Sequence, residues 1–280
     1  MKSRKRSDGS DPESRFIVDG IAERFSNEKL GLHWQVNETK ESFGRLLYHL
    51  EVRSNFRPYF DEAIRCLDLG NKGSAGGLVI ADIGAGVCWT SALLAKRPDV
   101  RYVYAVDPSD NRLAHAKYVI EHFGVTNKVT VIHGTFLDPH VPEKVDIVVL
   151  CGSLHHCYDS QMKGLFTNIR RMLKPGGRVL VANEHYVSPV WFLKRIASYM
   201  KVFYRPSELY YFPLKKLRSP HPRDGEHWRT RGELERIFEE NGFKASFFLH
   251  RGDLCKDKNN WYQELGWHFY HAILTPALHA

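Results

Sequence analysis

The chain has 280 residues, of which 43% are apolar and 12% aromatic, a composition typical of a folded globular protein. This length is sufficient for one α/β domain with a sizeable core and a smaller additional segment. The sequence contains no apolar run of the roughly 18 residues needed to cross a bilayer. The formal net charge of +8 raises the question of an anionic partner.

The basic residues are concentrated locally. Several lie in residues 1–14, which we expect to form a flexible basic tail, and several more lie between Lys194 and Arg223. A local basic region suits an anionic small molecule or a membrane surface as well as it suits nucleic acid. The five cysteines are an odd number without the spacing of a disulfide framework, so we predict a reducing, cytoplasmic location.

Residues 15–75 show helical spacing and are predicted to form an N-terminal helical cap. Apolar side chains recur at helical intervals over residues 16–25 and again over residues 43–50, and Thr39 is placed to begin the second helix. The glycine-rich stretch 71–77 is predicted to be a linker.

Residues 76–280 alternate short apolar runs with helical stretches. The predicted strands are Leu78–Ile83, Arg101–Val106, Lys128–His133, Val145–Leu150, Arg178–Ala182, Lys244–Leu249 and His268–Leu274. The predicted helices are Trp89–Ala95, Asp110–Phe123, Ser160–Leu173 and Arg231–Asn241. The motif Lys174-Pro-Gly-Gly177 is expected to separate helix from strand.

This alternation predicts an α/β fold with a doubly wound, mostly parallel sheet, similar to the Rossmann fold. The last two strands have no helical pattern between them, so we expect seven strands with an antiparallel last strand. An inserted segment, about 186–229 and rich in aromatic and basic residues, follows the fifth strand.

In such a sheet, ligands bind beyond the carboxyl ends of the strands. The first strand ends at Asp82-Ile-Gly84-Ala-Gly86, where glycines permit a sharp turn and close approach to a ligand. About twenty residues later, Asp107 ends the second strand and is placed to accept hydrogen bonds from ribose hydroxyls. The two features together predict an adenosine-containing cofactor.

The spacing of the glycines excludes two common classes of adenosine ligand. A dinucleotide fingerprint requires a third glycine where this chain has Trp89. The phosphate-binding pattern G-x-x-x-x-G-K-[ST] is absent. The predicted cofactor is therefore an adenosine ligand without a pyrophosphate.

Five motifs in order resemble those of the class I S-adenosylmethionine (SAM)-dependent methyltransferases. They are VIAD82IG84AG86, VYAVD107PS, G134TF136, VD146IVVLC151GSLHH156 and LKPGG177RVLVA. The resemblance implies SAM as the cofactor. It implies that Asp82, Gly84 and Gly86 contact the methionine end of SAM and that Asp107 binds the ribose.

The same resemblance implies that Thr135 and Phe136 flank the adenine and that the Cys151 backbone lines the methionine side. Two positions depart from the family pattern. Cys88 replaces a frequent third glycine, and Thr135 occupies a position that is often acidic.

Methyl transfer needs a general base only if the accepting atom carries a proton. The candidates lie beyond the fourth and fifth strands, and they are His155, His156, Glu184 and His185. Histidine suits this role because its pKa lies near neutrality. A metal site at Cys151, His155, His156 and Cys157 is disfavoured because these residues crowd one short loop, so we predict no metal.

Acceptor specificity is expected to come from the N-terminal cap and from the insertion. Aromatic residues of the cap either roof the pocket or pack on the sheet, and they are Trp34, Tyr48, Phe56, Tyr59 and Phe60. The stripe from Trp191 to Phe203 is expected to cap the active site, with a peripheral membrane contact as the alternative. Arg223 and Arg229 are candidates for gripping an acidic group of the acceptor.

The leading hypothesis is an enzyme that methylates an O, N or S atom of a small molecule, with an anionic molecule as one option. RNA or protein methylation, using the basic tail and insertion, is the second hypothesis. A non-catalytic SAM-binding or membrane-surface protein is the third. The sequence makes no prediction of the oligomeric state.

Overall fold

The computed structural model describes residues 30–68, 76–188, 190–191, 227–249 and 267–277. The predicted basic tail, the helical stripe over 16–25 and most of the predicted insertion lie outside these residues. Where the chain is described, no helix is long and apolar enough to cross a membrane.

Six α-helices occur in the described residues. They are α1 (Lys40–Tyr48), α2 (Phe56–Leu67), α3 (Trp89–Ala95), α4 (Asp110–Phe123), α5 (Asp159–Met172) and α6 (Arg231–Glu240). A π-helical turn, His49–Arg53, follows α1, and a 3-10 turn, Leu154–His156, precedes α5. The predicted cap at Thr39 is confirmed, because its hydroxyl accepts a hydrogen bond from the Ser42 N–H at 3.3 Å.

Seven strands form one sheet in the order β3-β2-β1-β4-β5-β7-β6. They are β1 (Leu78–Ile83), β2 (Val100–Asp107), β3 (Val129–His133), β4 (Val145–Cys151), β5 (Leu173–Val187), β6 (Phe243–Leu249) and β7 (Trp267–Pro276). The first five strands pair in parallel, and β7 runs antiparallel to both β5 and β6. The predicted fold class, including the antiparallel last strand, is confirmed.

The sheet is covered on both faces. Every residue of β1 is buried, as expected for a central parallel strand. One apolar cluster joins the sheet to α1, α2, α3 and α4, and it includes Leu46, Phe60 and Ile80. The cluster on the other face joins the sheet to α5 and α6 through Phe166 and Phe238.

The fifth strand is longer than predicted at both ends. Leu173 already pairs with Val145, and the pairing then shifts register before Arg178 meets Ile147. The predicted stop at Pro175-Gly-Gly177 is therefore a bulge within the strand, at which Gly176 has a φ of +77°. At its other end β5 continues to Val187 along β7, so the predicted insertion begins later than residue 186.

The N-terminal segment packs on the sheet domain. This was one of the two alternatives predicted for its aromatic residues, the other being a roof over the pocket. Tyr59 and Phe60 are buried, and the Phe60 ring meets the Trp89 ring edge-on at 5.5 Å. Tyr48 is exposed. None of the five cap aromatics lines the cleft at the carboxyl ends of the parallel strands, so the roofing prediction gains no support.

Leu150 is a test of the core of the sheet. Its side chain is fully buried, and it precedes the last residue of β4. We expect Leu150→Ala to lower the free energy of unfolding by about 2–5 kcal/mol, since it removes buried methyl groups and leaves a cavity. Urea unfolding measures the change. Leu32→Ala, at a 70% exposed side chain, is the matched control. An equal loss in both variants would contradict the assigned core.

Candidate active site

A cleft of about 770 Å³ opens where the strands of the parallel sheet end at their carboxyl side. Five of the predicted cofactor residues line it together, and they are Gly84, Gly86, Asp107, Thr135 and Phe136. These residues come from the ends of β1, β2 and β3, which are adjacent in the sheet.

Asp107 connects the ends of the first two strands. One carboxylate oxygen accepts the Gly86 N–H at 2.7 Å, and the other accepts the Ser109 N–H at 2.9 Å. The side chain is nearly buried, yet it lines the cleft. A carboxylate has about four acceptor positions, so one that borders a cleft can also accept the hydroxyls of a ribose. The site thus fits the ribose contact that the sequence predicts.

The glycine turn is held tightly against the loop after β4. Gly84 has a φ of +80°, and a Cβ on this residue would lie 2.4 Å from the Cβ of Ser153. The N–H groups of Gly84 and Ala85 both donate to the carbonyl of Val106, at 2.8 and 3.0 Å. Any side chain at Gly84 would therefore push two parts of the cleft wall apart.

The residue that replaces the family's third glycine still adopts a glycine-like backbone. Cys88 has a φ of +64° and is fully buried. This conformation is costly for a residue with a side chain. Burial raises the pKa of the Cys88 thiol well above its usual value, so the thiol stays neutral.

Asp82 lies behind the turn and does not line the cleft. One oxygen of its fully buried carboxylate accepts the hydroxyls of Thr90 and Ser91, at 2.5 and 2.6 Å. The other oxygen has no hydrogen-bond partner among the described residues. Burial raises the pKa of Asp82 to about 6, although the two hydroxyls oppose this shift. The carboxylate is therefore positioned to hold the start of α3, and its predicted contact with the cofactor stays a prediction.

Cys151 does not line the cleft, although its neighbours Gly152 and Ser153 do. It is the last residue of β4 and pairs with Ala182 of β5. Burial raises the pKa of its thiol well above the usual value. Its backbone contact with the methionine side of the cofactor stays a prediction.

The predicted acid–base residues come together beside this cleft. The Glu184 carboxylate accepts the Leu154 N–H at 2.6 Å and the His155 N–H at 3.2 Å. It also contacts Nδ1 of His155 at 2.9 Å, and both side chains are largely buried. A carboxylate is an acceptor, so Nδ1 of His155 carries a proton, and Nε2 carries the lone pair whenever the ring is neutral.

The other two histidines pack against the same ring. The His156 ring lines the cleft and lies 4.1 Å from the His155 ring, centroid to centroid. The His185 ring lies 5.1 Å from the His155 ring. Burial, assisted by the nearby charges of His155 and Arg229, lowers the pKa of His185 well below its usual value. His185 is therefore neutral at physiological pH.

Arg229 is committed to contacts within the protein. Its guanidinium is buried, and it donates to the Asp159 carboxylate at 2.8 Å and to the Cys157 carbonyl at 2.5 Å. The prediction that this arginine grips an acidic acceptor therefore lacks support, and Arg223 lies outside the described residues. Within the described ranges, no group of His, Cys, Asp and Glu could hold a metal ion.

Several residues of the site were not predicted from the sequence. Ser153 and Gln161 line the cleft through contacts that depend on the sheet pairing and on the start of α5. Arg112 lines it from the first turn of α4, and its position shortly after the predicted ribose ligand is a signal that could have found it. Asn183 has a φ of +51°, and its amide donates to the Phe56 carbonyl at 2.9 Å.

The buried carboxylate of Asp82 makes stability depend on pH. Its pKa near 6 in the folded chain lies above the ordinary value of 3.8, so the folded chain holds this proton more tightly than the unfolded chain does. This group therefore makes stability fall as pH rises from about 4 to about 6. Between about pH 4 and pH 7, we expect the wild type to lose on the order of 2–3 kcal/mol of unfolding free energy relative to Asp82→Asn.

Urea unfolding at the two pH values measures this difference. Glu121→Gln, on the exposed face of α4, is the control that changes a carboxylate to an amide without burial. A difference between wild type and Asp82→Asn that stays constant with pH would show that folding does not raise the pKa of Asp82.

Comparison with known proteins agrees with this geometry. A family model described as a methyltransferase domain matches residues 80–177. The probable protein arginine N-methyltransferase 6 of Arabidopsis thaliana is 34% identical over 116 residues. The probable histone-arginine methyltransferase CARMER of Drosophila melanogaster is 30% identical over 111 residues. These alignments cover 41% and 40% of this chain, but the chain spans only 26% and 21% of the two relatives.

Two solved structures share the fold at low sequence identity. The geranyl diphosphate C-methyltransferase of Streptomyces coelicolor A3(2) is 14% identical with a TM-score of 0.58, covering 92% of this chain and 98% of that one. A SAM-dependent methyltransferase of Geobacter sulfurreducens, solved with S-adenosyl-L-homocysteine, is 16% identical with a TM-score of 0.53, covering 82% and 97%.

The family-model match supports the predicted methyltransferase domain over residues 80–177, and the two solved structures share the predicted fold. A methyltransferase domain thus matches residues 80–177, in agreement with the family that the five motifs resemble.

Proposed function

We propose that this protein transfers the methyl group of SAM to a protonated O, N or S atom of a small molecule, and that His155 removes the proton. The contact between His155 Nδ1 and the Glu184 carboxylate at 2.9 Å, beside the cleft, carries this proposal. A carboxylate that fixes the tautomer of a histidine is a recurring arrangement for a general base.

On the donor side, Gly84, Gly86 and Asp107 would hold the ribose and methionine portions, and Thr135 and Phe136 would flank the adenine. Asp82 and Cys151 would support this wall from behind. SAM supplies an electrophilic methyl group when it is bound, so the protein contributes chiefly proximity and alignment.

On the acceptor side, the four predicted acid–base residues would have different roles. Glu184 orients His155, because its carboxylate also accepts the two N–H groups at the start of the 3-10 turn. His156 borders the cleft and is the second candidate for the base. His185 is kept neutral by burial and packs behind the base. An anionic acceptor is the least supported option, since Arg229 is engaged with Asp159.

Methylation of arginine in a protein is the alternative, and the names of two relatives favour it. An arginine acceptor brings a guanidinium, which is recognised by carboxylates in paired hydrogen bonds. The Glu184 carboxylate beside the cleft already accepts three hydrogen bonds within the chain. This engagement favours a neutral acceptor over a guanidinium.

Labelled-methyl transfer separates these functions. The proposal predicts label in a fraction of small metabolites and none in arginine-rich histone peptides, whereas protein methylation predicts the reverse. A salt-dependent gel shift with tRNA would support an RNA substrate. SAM binding without label in any fraction would favour a non-catalytic role.

We also propose a cytoplasmic location and regard a peripheral membrane contact as the alternative.

The base assignment predicts a specific kinetic effect. With the metabolite fraction that accepts the labelled methyl group as substrate, we expect both His155→Ala and Glu184→Gln to lower the rate of methyl transfer. For the histidine variant the expected loss is roughly 10²–10⁴-fold. SAM affinity should stay within about twofold, because the proposed contacts with SAM are made by other residues, at the ends of β1, β2 and β3. Single-turnover transfer and calorimetry with SAM measure the two quantities.

His133→Ala, at a 56% exposed histidine at the end of β3, is the matched control. Unchanged transfer in His155→Ala would remove His155 as the base. If His156→Ala loses activity while His155→Ala keeps it, the base is the histidine that borders the cleft.

A further inference from the structure

The last residues of the predicted insertion lie along the loop that carries His155. The His227 N–H donates to the carbonyl of His155 at 2.8 Å. Two residues further on, the Arg229 guanidinium donates to the Cys157 carbonyl at 2.5 Å and to the Asp159 carboxylate at 2.8 Å. The segment 227–229 thus holds alternate residues between the end of β4 and the start of α5.

The same segment is fixed to β5, the strand that carries Glu184. The Val187 N–H donates to the Arg229 carbonyl at 2.9 Å. His155 is therefore held from two sides, because Glu184 accepts its N–H and contacts its ring, and the segment 227–229 binds its carbonyl. A small movement of this loop would displace the base from the acceptor, and a displacement of about 1 Å is enough to slow an enzyme severely.

Arg229 places a charge in a buried position. Its side chain is 7% exposed, whereas the side chain of its partner Asp159 is 81% exposed. Removing a guanidinium from water is unfavourable, and a neutral donor could satisfy the Cys157 carbonyl. The charge of Arg229 therefore points to a role beyond hydrogen bonding.

The charge of Arg229 acts on the residues that surround His155. Burial lowers the pKa of His185, and the charges of His155 and Arg229 add to this effect. Burial raises the pKa of Tyr270, and there the Glu184 carboxylate adds to the effect whereas Arg229 opposes it. One carboxylate and one guanidinium therefore act on this region with opposite signs.

A general base requires such a balance of charge. The Glu184 carboxylate, in contact with His155, favours the cationic ring, whereas a base has to start neutral. The described groups around His155 that carry or can gain a charge near neutral pH come from its own turn, α5, β5 and the segment 227–229, and they are His156, Asp159, Glu184, His185, His227 and Arg229. Among these described groups, Arg229 is the one that is cationic throughout the pH range of an assay.

We infer that Arg229 is a positioning residue for the proposed methyl transfer, which holds the loop of His155 and supplies the positive charge that balances the Glu184 carboxylate. This inference rests on the proposed base. As the methyl group forms its bond to the acceptor atom, the proton of that atom moves to Nε2 of His155. Arg229 keeps Nε2 free of a proton before that step, and Glu184 stabilises the cationic ring after it.

The pH profile of methyl transfer tests this role, with the metabolite fraction that accepts the labelled methyl group as substrate. We expect Arg229→Gln to lower kcat roughly 10–100-fold at its optimal pH, since the loop loses its contacts with the guanidinium. The acidic limb of the profile should move up by about 0.5–1 pH unit, because the loss of a positive charge favours the protonated ring. KM for SAM should stay within about twofold, since the proposed SAM contacts are elsewhere.

Three further variants separate the charge from the hydrogen bonds. Arg229→Lys keeps the charge, so we expect a lower kcat with the acidic limb in its wild-type position. Asp159→Asn removes an exposed negative charge and keeps the guanidinium, so any shift of the limb should be to lower pH. Arg236→Gln, at a 65% exposed arginine of α6, changes the net charge equally and should keep the wild-type profile.

An unchanged kcat in Arg229→Gln would overturn the inference, and so would a lower kcat with an unmoved acidic limb, which is the result of a purely structural role. If urea unfolding shows that Arg229→Gln does not fold, the other two variants decide. A wild-type limb in Arg229→Lys would support the inference, and an upward shift in Arg229→Lys or Asp159→Asn would overturn it.

Failure of the proposed function gives a different result. Wild-type transfer in His155→Ala would show that the proposed base is wrong, whatever the profile of Arg229→Gln. Absence of label in every fraction would remove the methyl transfer itself and, with it, the base that Arg229 serves.

Discussion

The site depends on the hydrogen bond between the Asp107 carboxylate and the Gly86 N–H. This bond joins the ends of two neighbouring parallel strands at the edge where their loops leave the sheet. The N–H groups of Gly84 and Ala85, which donate to Val106, hold the start of the same turn, whereas Asp107 holds its far end. The same carboxylate both shapes the cleft and offers acceptor positions to a ligand, which explains why an acidic residue suits this strand end.

Burial determines the protonation states of several polar groups around the cleft. The thiols of Cys88 and Cys151 stay protonated and His185 stays neutral, because low-dielectric surroundings penalise their charged forms. Asp82 is the exception, since two hydroxyls hold a carboxylate whose pKa lies near 6. The two thiols and His185 therefore add no charge behind the cleft, whereas the carboxylates of Asp82 and Glu184 do. In the described part of the lining, the carboxylate is that of Asp107 and the guanidinium is that of Arg112.

Chain order alone was sufficient to predict that five of the seven proposed cofactor residues lie together at one cleft. Asp107 and the glycine turn were found because parallel strands bring their carboxyl ends to one edge. The contact between His155 and Glu184 was not predicted as a pair, because it depends on the register of β4 against β5. The burial of Asp82 was not predicted either, since a strand-end position does not reveal whether a side chain faces the cleft or the helix behind it. Arg229 was predicted to face an acceptor, but its ion pair joins residues 70 positions apart.

Binding of SAM to variants of Asp107 tests the central claim most directly. Calorimetry with SAM would compare the wild type, Asp107→Ala, the isosteric Asp107→Asn and the exposed control Asp138→Ala. We predict that both Asp107 variants bind SAM at least about tenfold more weakly, because charge-assisted hydrogen bonds to the ligand are lost, while the control is unchanged. SAM binding to Asp107→Ala that is as tight as in the wild type would contradict the assignment of the cofactor site.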